Sequence, residues 1–211
     1  MKYIIYFSLL ALISISWIND LNAQVPQKNA FYHSGEFNAG SYYGLNLNAN
    51  FVRNEKYSFQ LGYSAHFRKA IDQPDNYSSG LLSVFLLGLN TPIDQVENFQ
   101  VLTGRIIRLN TKGTIRVNLL AGIGLSFIRE AVNWEYRESS LLVPNYSYDY
   151  NKHSTFSFIF NPKIEFPFTR YYGFTLSPLI HINKESNFYG IGVGHMAGLL
   201  RRKNPPKQNI D

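Results

Sequence analysis

From Ser41 onward, apolar and polar residues alternate with a period of two, in one run after another. Tyr43, Leu45, Leu47, Ala49 and Phe51 alternate with Gly44, Asn46, Asn48 and Asn50. After the polar break at 53–56, Tyr57, Phe59, Leu61, Tyr63, Ala65 and Phe67 alternate with Ser58, Gln60, Gly62, Ser64, His66 and Arg68. Gly80–Thr91 is nearly all apolar and reads as a strand with no face assignment. Phe99–Leu109 follows, and Asn110-Thr-Lys-Gly113 is a tight-turn signal. The same alternation runs through Ile115–Phe127, Phe156–Phe166, Phe174–Asn183 and Tyr189–Leu199. The pattern predicts eight strands of about 10–14 residues, longer than the ~5–6 usual in soluble domains and long enough to cross a bilayer at a tilt.

On most of these runs one face is continuously apolar and aromatic. The other is Asn, Ser, Gln, Gly, Arg and His. An eight-stranded barrel has room only for a packed lumen, so the bulky rings belong outside, against lipid. A sheet in lipid must close on itself to leave no unpaired edge. The expected fold is therefore all-β: a closed, up-and-down antiparallel barrel that spans a membrane.

The segments divide accordingly. Met1–Ala23 has a basic start at Lys2, an apolar stretch from Ile4 to Ile18 and a small residue before Gln24, the form of an export signal. Residues 24–40 are polar without a clear period and read as a lead-in. Residues 41–200 form the barrel, and residues 201–211 a basic, Pro-containing tail. With the N-terminus periplasmic, the turns at 110–113 and 169–173 fall inside and the long connection near 129–152 outside, as in outer-membrane barrels. Lys69–Ser79 also falls inside, where it is unusually long.

Taken together, the chain resembles the small eight-stranded outer-membrane β-barrel proteins of Gram-negative bacteria, over about residues 41–200. The resemblance implies outer-membrane localisation, contact with outer-membrane lipid and a structural, adhesive or minor pore role, with an extracellular or periplasmic protein as a candidate partner. Two features depart from the pattern. Such barrels commonly end on an aromatic residue, whereas this chain continues from Leu200 to Asp211. Pro162, Pro167 and Pro178 fall inside strand readings, where each removes a ladder donor.

Composition narrows the chemistry. Lys+Arg 20 against Asp+Glu 14 gives +6, of which half lies in the last eleven residues, so the body lacks the charge of a nucleic-acid binder. Cysteine is absent, which excludes a disulfide frame, a thiolate zinc site and a cysteine nucleophile. The five histidines (33, 66, 153, 181, 195) show no metal-ligand spacing. Gly190-x-Gly-x-Gly194 is not followed by a helix and reads as a stripe making room in a narrow lumen. No cofactor or metal is expected.

Parity places His66, Arg68, Arg105, Arg116, Lys163, Glu165 and His181 inward, as a lumen charge network with Glu165 among basic neighbours. A sharper version of the same reading is an anion-preferring passage. His195 has lipid-facing parity and belongs near an interface. Trp134, Tyr136, Tyr146, Tyr148 and Tyr150 mark a hairpin projecting beyond the bilayer, either to meet a partner or to form an interface girdle. His181 raises a lipid-modifying hydrolase as an alternative, but Asn183 stands where a His-x-Ser pair needs its nucleophile. A soluble periplasmic barrel holding an apolar ligand is the remaining alternative. The leading expectation is non-enzymatic, with no catalytic residue.

Overall fold

The computed structural model describes residues 29–85, 91–137 and 142–201. Residues 1–23, expected as an export signal, and the expected tail from 202 onward lie outside the described residues. Eight strands follow one another: β1 (Ala30–Gly40), β2 (Tyr43–Arg53), β3 (Tyr57–Lys69), β4 (Ile93–Arg108), β5 (Arg116–Tyr136), β6 (Tyr146–Phe166), β7 (Tyr172–Ile182) and β8 (Phe188–Leu199). Each pairs antiparallel with the next, and β8 pairs with β1, so the sheet is a closed barrel. This is the all-β, up-and-down architecture that the alternation predicts.

The count of eight is reached by two compensating differences. Residues 30–40, expected to be part of a lead-in, form β1. Its outward face is Phe31, His33, Gly35, Phe37 and Ala39, so a histidine and a glycine dilute the apolar period. Gly80–Thr91 supplies no barrel strand. Leu81–Phe85 is a one-turn helix, α1, in the β3–β4 connection, and 86–90 lie outside the described residues. A run apolar on both parities suits neither the lipid-and-lumen alternation nor an unpaired edge.

The reassignment also re-sorts the connections. Turns 54–56, 109–115 and 167–171 gather at the end where β1 begins and β8 ends, the terminal end of the barrel. Connections 41–42, 70–92, 137–145 and 183–187 gather at the far end. Lys69–Ser79, expected at the terminal end, therefore belongs to the far end with the other long connection.

The prolines are absorbed locally. Along the β6–β7 seam, Phe160 pairs with Ile180 and Ile164 with Leu176, but the positions between them do not pair. Pro162 and Pro178 sit in that gap, where each removes a donor, and the register is the same on both sides. Pro167 lies just past the end of β6. On the β5–β6 seam a bulge between Val132 and Glu135 holds Asn133 at φ 55°.

Parity decides the two faces. Phe37, Leu45, Leu61, Val101, Ile123, Phe158, Phe174 and Val193, one from each strand, are all exposed on the outer wall. Leu47, Phe59, Leu119 and Leu176 share it. Asn48, Gln60, Asn118 and Ser157 point inward and are at most 4 % exposed. The glycine stripe of β8 lines the lumen: a Cβ on Gly192 would lie 2.5 Å from Asn38 Oδ1 and 2.7 Å from Ser177 Oγ. Beyond β8 the chain turns under the barrel. Leu200 is fully buried in the terminal mouth beside Tyr32, Val52, Ile106 and Met196. Arg201, the first residue of the expected basic tail, donates to the carbonyls of Phe168 (2.9 Å) and Lys112 (3.3 Å).

Candidate functional site: the lumen and the projecting hairpin

Polar side chains make up most of the lumen and tie non-adjacent strands together, beside buried apolar residues such as Leu102, Leu120 and Ile159. Nearest the terminal end, Glu165 of β6 accepts from Arg116 Nε of β5 (2.5 Å), Asn118 Nδ2 (3.0 Å) and the Tyr32 hydroxyl of β1 (2.8 Å). Arg116 Nη1 also donates to the Leu200 carbonyl at 2.9 Å, fastening the terminal plug. Farther along, Lys163 Nζ donates to Glu36 Oε1 at 2.5 Å, and Ser177 Oγ to Glu36 Oε2 at 2.9 Å. Both charges are almost completely buried, as a charge in such a place must be paired to be tolerated. Gln60 and Gln100 both donate to Asn48 Oδ1, at 3.0 and 3.4 Å.

Toward the far end the lumen becomes aromatic. The His66 ring stacks on Phe188 at 4.3 Å and lies 6.5 Å from His181. His181 Nε2 is 3.1 Å from Ser126 Oγ, which also bonds Ser157 (2.6 Å) and Asn98 (3.1 Å). The Tyr42 hydroxyl bonds Ser186 Oγ. At the mouth itself Arg68 lies over the Tyr42 ring (4.4 Å) and pairs with Asp94 at 3.1 Å and Glu130 at 3.6 Å.

Of the charges expected inward, the structure buries His66, Arg116, Lys163, Glu165 and His181 in the lumen and sets Arg68 half-buried at its far mouth. Arg105 is a correction: it is exposed on the outer wall, paired in register with Tyr57 and Leu119. Ile106, its neighbour, is the inward residue. Sequence reasoning missed Glu36 and Tyr32, because their strand was not recognised. It also missed Ser126 as the serine facing His181. Asn183 accepts from the Glu185 and Ser186 backbone amides at 2.9 and 2.6 Å, which makes it a turn cap. His195 is exposed on the outer wall toward the terminal end, edge-on to His33 at 5.9 Å. Among the described residues no third metal-binding side chain joins either histidine pair.

The second feature is the β5–β6 hairpin. Both strands are 21 residues long, about ten more than a tilted crossing needs, and the outward apolar series on β5 stops at Phe127. Beyond that level the aromatics expected to project gather in one cluster. Trp134 lies 5.2 Å from Tyr148 and 5.5 Å from Tyr77, while Tyr136 packs on Tyr146 and Tyr148 on Tyr150, each at 5.4 Å. Arg129 sits 3.5 Å over the Tyr150 ring. Burial, and next the neighbouring Tyr150, push the Tyr148 hydroxyl up to about 12. Asn145 joins the hairpin to the β3–β4 connection: its Oδ1 accepts from Ser78 N (2.7 Å) and its Nδ2 donates to the Asn76 carbonyl (2.8 Å). Tyr77 and these asparagines were not legible as part of the cluster, because the contact spans two separate connections.

No protein-family model and no curated protein matches the chain. Among solved structures it is similar to the crystal structure of Ail, the attachment invasion locus protein of Yersinia pestis. The two are 10% identical with a TM-score of 0.44, over 81% of this chain and 95% of that one. The backbone structure of the same outer membrane protein in a phospholipid bilayer nanodisc is 11% identical, with a TM-score of 0.46, over 80% and 98%. The crystal structure of Ail with the heparin analogue sucrose octasulfate matches at 10% and 0.44.

Proposed function

We propose that this chain is an exported, non-enzymatic outer-membrane barrel, whose wall spans the membrane and anchors the projecting β5–β6 hairpin in a structural or adhesive role. The observation that carries the reading is the inversion of a soluble core. Apolar side chains ring the outside on all eight strands, while Asn, Ser, Gln and charged groups make up most of the inside, beside a buried apolar cluster that includes Val96, Leu102, Leu120, Ile128, Ile159 and Leu179. No helix among the described residues is long and apolar enough to cross a membrane. The termini then face the periplasm, and the two long connections the exterior.

The filled lumen supports an anchor over a pore. Lys163 and Glu36 close on each other across it from strands that are not neighbours, and Leu200 plugs the terminal mouth. The same close filling by the wall's own side chains argues against a ligand inside. Against hydrolysis, Ser126 and His181 are both buried, and among the described residues no carboxylate is bonded to His181 to orient it. The test is fractionation of expressing cells with N-terminal mass analysis of the product. The expected result is an outer-membrane protein beginning at Gln24. A soluble periplasmic product would overturn the proposal.

A further inference from the structure

The two ends of the barrel carry opposite charge. Among the described residues the far end holds six Lys and Arg against eight Asp and Glu, whereas the terminal end holds eight Lys and Arg against Glu55 and Glu165. Glu165 is spent inside on Arg116, and Glu55 faces Arg108 at 3.3 Å. The excess is therefore basic, and part of it lies on the outer wall.

Three residues on adjacent strands form one outward row: Arg53 of β2 pairs in register with Tyr57 of β3, which pairs with Arg105 of β4. All three are exposed. Neighbouring strands run about 4.8 Å apart, so the two arginines flank the tyrosine with their backbones about 10 Å apart, within reach of a common anion. Lys56, next in the turn, lies 5.5 Å from the Tyr57 ring, and its carbonyl accepts from Ile106 N at 2.8 Å, which fixes the turn against β4. Among the described residues Arg53, Lys56 and Arg105 make no ion pair.

The next outward row toward the middle of the wall is Phe51, Phe59 and Thr103, with Phe51 and Phe59 stacked at 6.5 Å, and after it come Leu61 and Val101. An arginine on this parity, beside an apolar track, is costly in lipid unless it reaches the headgroup layer. We infer that Arg53, Tyr57 and Arg105 form a binding site for the phosphate headgroup of an anionic diacyl phospholipid, whose acyl chains lie along Phe51, Phe59, Leu61 and Val101. Paired guanidiniums suit a phosphate's oxygens, Lys56 adds charge at the same level, and the stacked rings continue the site into the hydrocarbon. The leaflet is the one on the side of the termini. The inference rests on the membrane-spanning reading above.

The experiment uses the processed, folded barrel in phosphatidylcholine vesicles, with spin-labelled phosphatidylglycerol or spin-labelled phosphatidylcholine as probe. Wild type should hold the phosphatidylglycerol probe in preference, and the preference should fall with salt. Arg53→Gln and Arg105→Gln should each lower it about fivefold, and lysine at both positions, which keeps the charge without the guanidinium fork, should retain only part of it. Lys152→Gln, the same charge change at the far end, should leave it intact. Absence of a preference, or one indifferent to both arginines, would overturn the site. Displacement of the probe by millimolar inorganic phosphate alone would also overturn it, as the mark of a free-anion site. A change in gel mobility on boiling reports the folded barrel for each variant. Failure of wild type to fold into phosphatidylcholine would instead count against the membrane-spanning reading.

Discussion

At the scale of single residues, the lumen pairs are the most sensitive points. Lys163 and Glu36 are nearly inaccessible and bonded to each other, so removing one leaves the other charge stranded. Lys163→Met or Glu36→Gln alone should lower stability by roughly 3–5 kcal/mol. The double substitution should cost much less than their sum, because no charge is then left unpaired. Urea unfolding in vesicles, run as a double-mutant cycle, checks this; strictly additive losses would contradict the pairing. Half of this chemistry was legible in the sequence. Glu165 and Arg116 share an inward parity on strands adjacent in a meander, so their contact could be expected. Glu36 could not be matched with Lys163, because its strand was hidden by His33 and Gly35 on its outer face and the contact crosses the lumen. Arg105 was misread because Arg105 and Arg108 occupy opposite parities of β4, and sequence alone does not say which one faces lipid.

At the scale of elements, the β5–β6 hairpin divides into a part that crosses the wall and a part that stands beyond it. The outer part owes its order to rings: Trp134, Tyr77, Tyr146 and Tyr148 pack together, and Asn145 clamps the neighbouring connection. With residues 1–23 removed, as proposed, Trp134 is the one tryptophan left of the two in the sequence, and its emission reports this cluster. Tyr148→Ala should shift that emission to the red and speed proteolysis at the hairpin tip, while the boiling-dependent mobility shift of the barrel persists. Loss of the barrel along with the cluster would mean that the two are one folding unit. Strands with strict alternation, such as β2 and β3, were legible in full, because each parity faces a single environment. The apolar run at Gly80–Thr91 was not, since period two is the only signal that separates a wall strand from an apolar connection.

At the scale of the whole molecule, closure and inversion belong together. A barrel of eight strands has a lumen narrow enough to be filled by the side chains of its own walls, and here these are mostly polar, with buried apolar clusters among them and glycines where backbones and side chains crowd. The other apolar residues are left to the outside, where, on the proposed reading, lipid covers them. The β6–β7 seam tolerates two prolines because its pairing resumes in the same register on both sides of the gap.

The absence of cysteine allows the inverted arrangement to be tested position by position. Single cysteines along the outer face of β5, at Leu119, Ile123, Leu125, Phe127, Arg129 and Glu135, can each carry a spin label in barrel reconstituted in vesicles. Collision with oxygen, which concentrates in hydrocarbon, should dominate from Leu119 to Phe127. Collision with a water-soluble nickel complex should take over from Arg129 outward. Uniform access of the aqueous reagent from Leu119 to Phe127 would contradict a lipid-facing wall.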